Sequence, residues 1–122
     1  NENKLSGSLP TSIQNLINLT ELGLFSNRFS GEIPHWIGEL KNLIYFSLYN
    51  NNFNGEIPLE IGNLSNLREL YLHHNKLTGK IPKEICDQGD FNPSIYNNKL
   101  CPPYPICITQ GNIDSQDTSN CP

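Results

Sequence analysis

Aromatic and imidazole side chains recur along the chain at a spacing that predicts a binding surface. Phe25, Tyr49 and His73 follow one another at intervals of 24 residues, and Tyr96 comes 23 residues later. Aromatic anchors with carboxylates beside them are typical of surfaces that recognise a protein, peptide or glycan partner. Rings in register can instead serve only to stabilise neighbouring strands by stacking. On the first interpretation, the ligand-binding residues are Phe25, Tyr45, Tyr49, Glu69, Tyr71, His73 and Tyr96.

The other ionisable residues do not match a catalytic or metal-binding pattern. His73 and His74 could form a metal or pH-sensing site. Adjacent residues of a strand point to opposite sides, however, so we expect an ordinary solvated pair. His35 is isolated, and the sequence contains no Ser–His–Asp arrangement, carboxylate pair or phosphate-binding loop. We therefore expect no enzyme activity, no cofactor and no metal.

The cysteines cluster near the C-terminus, at Cys86, Cys101, Cys107 and Cys121. Two disulfides are the favoured interpretation, and they predict an oxidising compartment. A zinc site is disfavoured because the spacings lack the CxxC pairs that zinc modules use, and free thiols are the remaining alternative. Three disulfide connectivities are possible, and the sequence does not choose among them.

Charge and hydropathy exclude two classes of partner. The net charge is −4, from 8 Lys and Arg against 12 Asp and Glu, which argues against nucleic acid. The apolar runs are shorter than the roughly 20 residues of a membrane span. The first four residues, Asn1–Lys4, do not resemble a signal peptide. Because the sequence opens within a repeat, we expect either that preceding segments were removed or that the chain is part of a longer protein.

The elements that position the aromatic residues repeat with a period of 24 residues. Leu22 and Leu24 alternate with Glu21, Gly23 and Phe25, which is the period of a short strand with one buried face. Every row has such a strand in the same direction, so we expect a parallel sheet with strands about 4.8 Å apart. Leu22, Phe46 and Leu70 should stack inside it. The alternate positions should be exposed, including Ser47 and Asn92.

The remainder of each row carries turn signals. An asparagine follows each strand, and its amide can both donate to and accept from buried backbone groups. A glycine four residues later permits a backbone conformation that a side chain obstructs. A proline comes next and fixes its own φ. The following segments, such as Pro34–Leu40 and Pro58–Leu64, are predicted to form a single helical turn.

The consensus LxxLxLxxNxFxGxIPxxIGxL resembles the plant-specific class of leucine-rich repeats, found in plant receptor kinases, receptor-like proteins and polygalacturonase inhibitors. The resemblance implies an α/β solenoid, a right-handed superhelix with a concave parallel sheet and a second short strand in each row. We assign about four 24-residue repeats to residues 1–86. Residues 87–122 are assigned to a disulfide-bearing C-terminal cap, in which Ser94–Leu100 form a degenerate last repeat.

The resemblance implies an extracellular, secreted or cell-surface recognition module whose partner binds the concave face. An alternative is a structural subunit that self-assembles, or follows preceding repeats, through its uncapped N-terminal end near Leu5 and Leu9. A minor alternative is ice binding by the small polar column Ser6, Ser30, Asn54 and Thr78. N-glycosylation is predicted at Asn18 and Asn63, which begin the sequons Asn18-Leu19-Thr20 and Asn63-Leu64-Ser65. Both are expected in a helical turn, away from the sheet.

Overall fold

The computed structural model describes residues 6–122, without the side chain of Ser6. Short strands and 3₁₀ turns alternate along the chain. The strands are β1 (Ser6–Gly7), β2 (Glu21–Gly23), β3 (Arg28–Glu32), β4 (Tyr45–Ser47), β5 (Asn52–Gly55), β6 (Glu69–Tyr71), β7 (Lys76–Lys80) and β8 (Lys99–Cys101). The 3₁₀ turns are Thr11–Asn15, His35–Glu39, Leu59–Asn63 and Lys83–Asp87, and one short helix, α1, spans Gln110–Asp114.

Two parallel sheets run along the stack. The first contains β2, β4 and β6, and its register places Leu22 opposite Phe46 and Phe46 opposite Leu70. The second has the order β1-β3-β5-β7-β8, and all its pairs are parallel. This is the predicted α/β solenoid, with one strand of each sheet in each of the three rows that contain β2, β4 and β6. None of the helical segments within residues 6–122 combines the length and hydrophobicity that a membrane span needs.

The core lies between the two sheets and the 3₁₀ turns. Equivalent apolar residues of successive rows bury one another in columns, because every row repeats the same positions. Phe46, Phe53, Ile61 and Leu64 of the middle rows have no exposed surface. The alternation of the strands therefore has the predicted effect: one face supplies this core and the other is left to contact solvent.

The 3₁₀ turns each begin after a proline in an extended conformation, as predicted. The second turn buries Trp36, Ile37 and Gly38, whereas the first buries none of its residues. Gly38 is required there because successive turns approach closely: a Cβ at this position would lie 2.7 Å from the carbonyl oxygen of Glu60. The first row has Gln14 at the equivalent position.

A ladder of asparagine side chains joins the rows, as predicted. The Asn75 amide oxygen accepts a hydrogen bond from the Phe53 N–H at 3.0 Å, and its Nδ2 donates to the carbonyl of Leu48 at 2.9 Å. Asn51 and Asn98 make the corresponding bonds one row before and after. Each buried amide thus satisfies backbone groups of two rows at once.

Both predicted disulfides are present, one within the cap and one between the last 3₁₀ turn and the cap. Cys86 pairs with Cys107 and Cys101 pairs with Cys121, and no free cysteine remains among residues 6–122. Side chains of the cap form hydrogen bonds with backbone N–H groups of the last row. The Asn112 amide oxygen accepts from the Ile95 N–H at 2.8 Å, and the Gln116 amide oxygen accepts from the Leu100 N–H at 3.0 Å. An edge strand is thereby covered without another repeat.

The degenerate last repeat is only partly formed. Its second-sheet strand exists as β8, but its first-sheet strand is reduced to one bridge between Tyr71 and Ser94. The expectation that Asn92 occupies an exposed strand position is therefore wrong. The Asp90 carboxylate, instead of a strand, accepts a hydrogen bond from the Leu70 N–H at 2.8 Å. Ser94 keeps its pairing: its N–H donates to the Leu70 carbonyl and its own carbonyl accepts from the Leu72 N–H.

Candidate functional site

The four residues of the predicted aromatic column form a continuous stack across the first sheet. The ring centroids are 5.0 Å apart for Phe25 and Tyr49, 4.6 Å for Tyr49 and His73, and 4.5 Å for His73 and Tyr96. The interplanar angles are 5°, 10° and 11°, so each pair is nearly parallel. The rings are half-buried. Successive rows thus place one ring above the next at the spacing of the strands.

Tyr71 links this stack to the remaining predicted residues. Its ring meets the rings of Tyr45, Tyr49 and His73 edge to face, at centroid distances of 6.0, 6.3 and 5.9 Å. Its hydroxyl donates to the Glu69 carboxylate at 2.8 Å. That hydrogen bond, with partial burial and the Glu69 charge, raises the pKa of Tyr71 to about 12. All seven predicted residues therefore belong to one connected group, called here the aromatic face: Phe25, Tyr45, Tyr49, Glu69, Tyr71, His73 and Tyr96.

His73 is not the solvated histidine that the sequence suggested. It lies between Tyr49 and Tyr96, and its Nδ1 is buried without a hydrogen-bond partner in the described part of the chain. Burial, reinforced by the neighbouring His74, lowers the pKa of His73 to about 4, although the backbone of Ser94 counteracts part of this effect. The ring is neutral at pH 7 and behaves as a member of the aromatic stack.

The expectation that His73 and His74 point to opposite sides is also wrong, because β6 ends at Tyr71. His74 takes a left-handed conformation with φ of 57°, and its ring centroid lies 5.6 Å from that of His73. Ser26, Asn50 and Asn97 adopt the same conformation at the equivalent position of their rows. Asparagine tolerates this conformation better than most residues, so Asn50 and Asn97 were a signal in the sequence. His74 is thus an exposed neighbour of the aromatic face that sequence reasoning missed.

Ser47 was expected at an exposed strand position, but it is fully buried. Its hydroxyl has no hydrogen-bond partner within residues 6–122. The strand position alone predicted exposure, but Tyr45 stands two residues earlier on the same strand and Tyr71 is the cross-strand partner of Ser47, so large rings flank it on the same face. Ser47 is therefore not part of the surface that a partner could contact.

Comparison with known proteins identifies the family. The sequence pattern of the leucine-rich repeat family matches residues 17–77, half of the chain. The chain is a leucine-rich repeat protein. Among curated protein sequences, none matches this leucine-rich repeat protein.

Solved plant receptors share the fold of this leucine-rich repeat protein. The BIR2 ectodomain from Arabidopsis thaliana is 36% identical, with a TM-score of 0.82. The plant peptide hormone receptor RGFR1, solved in complex with RGF2, is 34% identical, with a TM-score of 0.83. A chain of the BIR3–SERK2 complex from Arabidopsis thaliana is 31% identical, with a TM-score of 0.82.

These alignments cover 87%, 88% and 87% of the leucine-rich repeat protein described here. They cover 56%, 18% and 57% of the respective solved chains. The sequence thus spans just over half of the two shorter chains and less than a fifth of the peptide hormone receptor.

The predicted glycosylation sites differ in their surroundings. Asn63 is the last residue of the third 3₁₀ turn, as expected, and is exposed. Asn18 is exposed as well, but it lies beyond the first 3₁₀ turn, which ends at Asn15, so the expectation for its element is wrong. The chain does not pass directly from the turn to β2, because Leu19, which lies between them, packs against the core.

Other predicted surfaces of the leucine-rich repeat protein lie outside the aromatic face. The side chains of Ser30, Asn54 and Thr78 are exposed on the second sheet, and ice binding by this column stays a prediction. Leu5 lies outside the described residues. Leu9 is buried, so it does not form the exposed N-terminal surface that was expected of it. No group of three potential metal ligands occurs within the part of the chain that the structure describes.

Proposed function

We propose that this chain is an extracellular recognition module that binds a peptide or protein partner on the aromatic face. The observation that carries the proposal is the connected group of rings that crosses four successive rows, with Glu69 hydrogen-bonded at its side. Rigid, half-buried rings offer contact area at a small entropic cost, and they are enriched among the residues that dominate binding energies. The module is taken to act by binding and not by catalysis, since the hydrogen bond to Glu69 raises the pKa of Tyr71 to about 12 and keeps that hydroxyl protonated at neutral pH.

The similar receptors support this role. RGFR1 is a peptide hormone receptor solved in complex with RGF2, and BIR3 forms a complex with SERK2. Both kinds of partner are proteins or peptides. Two disulfides favour an oxidising compartment, and the BIR2 relative is an ectodomain. These observations together support a location outside the cell.

Ring geometry favours a peptide or protein over a glycan. Sugars bind aromatic side chains through the ring face. The faces of Tyr49 and His73 are each covered by neighbouring rings at 5.0 Å or less. A partner therefore meets ring edges, which are electropositive, together with tyrosine hydroxyls and the Glu69 carboxylate. Backbone carbonyls and polar side chains of a polypeptide complement such edges.

The test is the double substitution Tyr49→Ala with Tyr71→Ala. A peptide display library is selected on the immobilised parent protein, and the affinities of the selected peptides are measured by surface plasmon resonance. Because both rings are central, their loss should weaken binding by about thirtyfold or more, corresponding to roughly 2 kcal/mol.

Leu59→Ala is the matched control, since Leu59 is a large exposed side chain on a 3₁₀ turn, outside the aromatic face. It should leave the affinities unchanged. Melting curves of each variant show whether the fold is retained. Selected peptides that bind the folded double variant as tightly as the parent contradict the proposal.

A second candidate function, assembly through the N-terminal end, rests on the first row. The side chain of Leu16 is 51% exposed, whereas its equivalents Leu40 and Leu64 are fully buried by the rows before them. Ile17 beside it is 60% exposed. A preceding repeat or another subunit would cover Leu16. The equivalents of Ile17, Lys41 and Ser65, stay exposed in rows that have a preceding row, so only another subunit would cover Ile17. Sedimentation equilibrium of the parent and of Leu16→Ser with Ile17→Ser tests self-assembly: this candidate requires a higher mass for the parent, and it fails if the parent is monomeric.

A further inference from the structure

A groove runs across three rows beside the first sheet, at the residues that immediately precede its strands. It encloses about 340 Å³ and is called here the lateral groove. Its lining is made of two columns, one of asparagines and one of variable residues: Asn18, Asn42 and Asn66, and Thr20, Ile44 and Arg68. The aromatic face lies further along the same strands, so the two surfaces are distinct.

The first sequon forms one end of this groove. Each row carries Asn-Leu-X at the same place, and X is Thr20 in the first row, Ile44 in the second and Arg68 in the third. Of these three asparagines, only Asn18 is therefore an acceptor for N-glycosylation. Asn18 and Thr20 are both exposed, and both line the groove. A glycan on Asn18 would start inside the groove, with two further rows of side chains ahead of it.

The asparagine column is hydrogen-bonded from row to row. Asn42 donates its Nδ2 to the carbonyl of Ile17 at 3.1 Å, and Asn66 donates to the carbonyl of Lys41 at 3.0 Å. The Asn18 side chain makes no such bond within the described residues. The amide oxygens of Asn42 and Asn66 remain open to accept hydrogen bonds from hydroxyl groups.

The other lining residues suit the chemistry of a sugar. Ile44 is 43% exposed and offers an apolar contact for a sugar ring or an acetamido methyl group. The Arg68 guanidinium carries five N–H donors and forms no salt bridge with a described residue. Arg68 lies two rows from Asn18, a distance of about 10 Å at the strand spacing. The first sugars of an N-linked chain can span that distance.

We propose that an N-linked glycan on Asn18 lies in the lateral groove and covers this flank of the repeats. The glycan is held by Asn42 and Asn66 through hydrogen bonds, by Ile44 through apolar contact and by Arg68 through donated hydrogen bonds. A partner is then directed to the aromatic face, which the glycan leaves open. A glycan on Asn63 starts outside the groove and extends into solvent. The placement of the glycan does not depend on the proposed binding function, whereas the direction of a partner to the aromatic face rests on it.

The first experiment uses the chain secreted from plant cells. Glycopeptide mass spectrometry measures occupancy at Asn18 and Asn63, and release by an endoglycosidase is timed at both sites in the native protein. Release at Asn18 should be about tenfold slower than at Asn63, the factor that one or two additional hydrogen bonds give. Arg68→Ala should raise the Asn18 rate toward that of Asn63, whereas Arg28→Ala, an exposed arginine on β3, should leave it unchanged.

A second readout locates the glycan. Methylglyoxal modifies accessible arginines, and Arg68 should react several-fold more slowly in the glycosylated protein than in the Asn18→Gln variant, while Arg28 reacts equally in both. Secreted protein with Asn18 unmodified overturns the proposal. So do equal release rates at the two sites, or an Arg68 reactivity that is independent of the glycan.

Discussion

At the residue scale, His73 illustrates how a site can be built from a titratable group that does not titrate near neutral pH. Its ring occupies the place that an aromatic residue holds in the other rows, between Tyr49 and Tyr96. A charged imidazolium there would lose hydration without gaining an anionic partner, and the adjacent His74 would repel it. The neutral form is therefore the one that the folded chain stabilises.

This environment predicts a loss of stability in acid. The unfolded chain takes up a proton at His73 as the pH falls through about 6.5, but the folded chain does so only near pH 4. Between those values the unfolded state binds more protons, so the free energy of unfolding decreases as the pH falls, and below pH 4 the effect is constant. Because the ring is partly open to solvent, we expect a total loss of only about 1–2 kcal/mol.

The measurement is urea unfolding at pH 7 and pH 4 for the parent and for His73→Phe, which keeps a ring in the stack. Carboxylates titrate in both proteins, so the quantity of interest is the difference between them. The parent should lose about 1–2 kcal/mol more than the variant. His35→Phe, which replaces an exposed histidine, should behave as the parent does. Parallel losses in the parent and His73→Phe would show that the folded chain does not hold His73 neutral.

Sequence reasoning predicted the members of the aromatic face but not the conformation around them. The spacing of Phe25, Tyr49, His73 and Tyr96 is sufficient, because equivalent positions of a repeat must lie side by side. The burial of Ser47 and the left-handed turn at His74 depend on ring sizes and on where each strand ends. A period in the sequence does not contain that information.

At the element scale, backbone contacts limit how closely successive 3₁₀ turns can approach. A Cβ on Gly38 would lie 2.7 Å from the Glu60 carbonyl oxygen, and one on Gly62 would lie 2.7 Å from the Glu84 carbonyl oxygen. Real Cβ atoms do not approach backbone so closely, and a backbone carbonyl in a regular stack has little room to move. The distance between successive rows is therefore limited by glycine at this position.

Gly38→Ala should consequently destabilise the protein. Pushing the second and third turns apart strains both rows, and overpacking of this kind costs about 1–3 kcal/mol. Gly111→Ala is the matched control, because a Cβ at Gly111 meets nothing within 4 Å. Within α1 that substitution should be neutral or stabilise by up to about 1 kcal/mol. Chemical unfolding measures both variants, and equal stability of Gly38→Ala and the parent would contradict close packing of the turns.

The regular elements were predictable because local signals and the global period agree. Proline, the short apolar segment and glycine mark each 3₁₀ turn, and alternation marks each strand. The last repeat differs because the Asp90 carboxylate, in place of a strand, accepts the hydrogen bond from the Leu70 N–H. Helix α1 gave no usable signal, since five residues are too few to show a helical period.

At the scale of the whole molecule, each row of the solenoid contacts only the rows beside it and is stabilised mainly by them. The cap replaces the missing neighbour of the last row. Asn112 and Gln116 satisfy the backbone of that row, and the Tyr104 hydroxyl donates to the Leu100 carbonyl at 2.9 Å. These polar contacts hold only while the cap is kept in place, which is the task of the two disulfides.

The disulfides should therefore stabilise the repeats as well as the cap. Cys86 belongs to the last 3₁₀ turn, and its bond to Cys107 joins the repeats directly to the cap. The two bonds close segments of similar length, with sequence separations of 21 and 20 residues. Chain entropy alone predicts nearly equal contributions of about 3 kcal/mol each.

The positions of the two disulfides predict that they contribute unequally to stability, whereas chain entropy alone does not. Replacing Cys86 and Cys107 by alanine should cost about 3–5 kcal/mol, because it also frees the cap to leave the last row. The bond between Cys101 and Cys121 joins β8 to the C-terminal segment. Replacing these two cysteines by alanine should lower the free energy of unfolding by only about 2–3 kcal/mol. Urea unfolding measures both, and thiol titration of the denatured, unreduced parent should detect no free thiol. Equal losses in the two variants would mean that the repeats do not depend on the attachment of the cap, and that the last row is stable with its edge open to water.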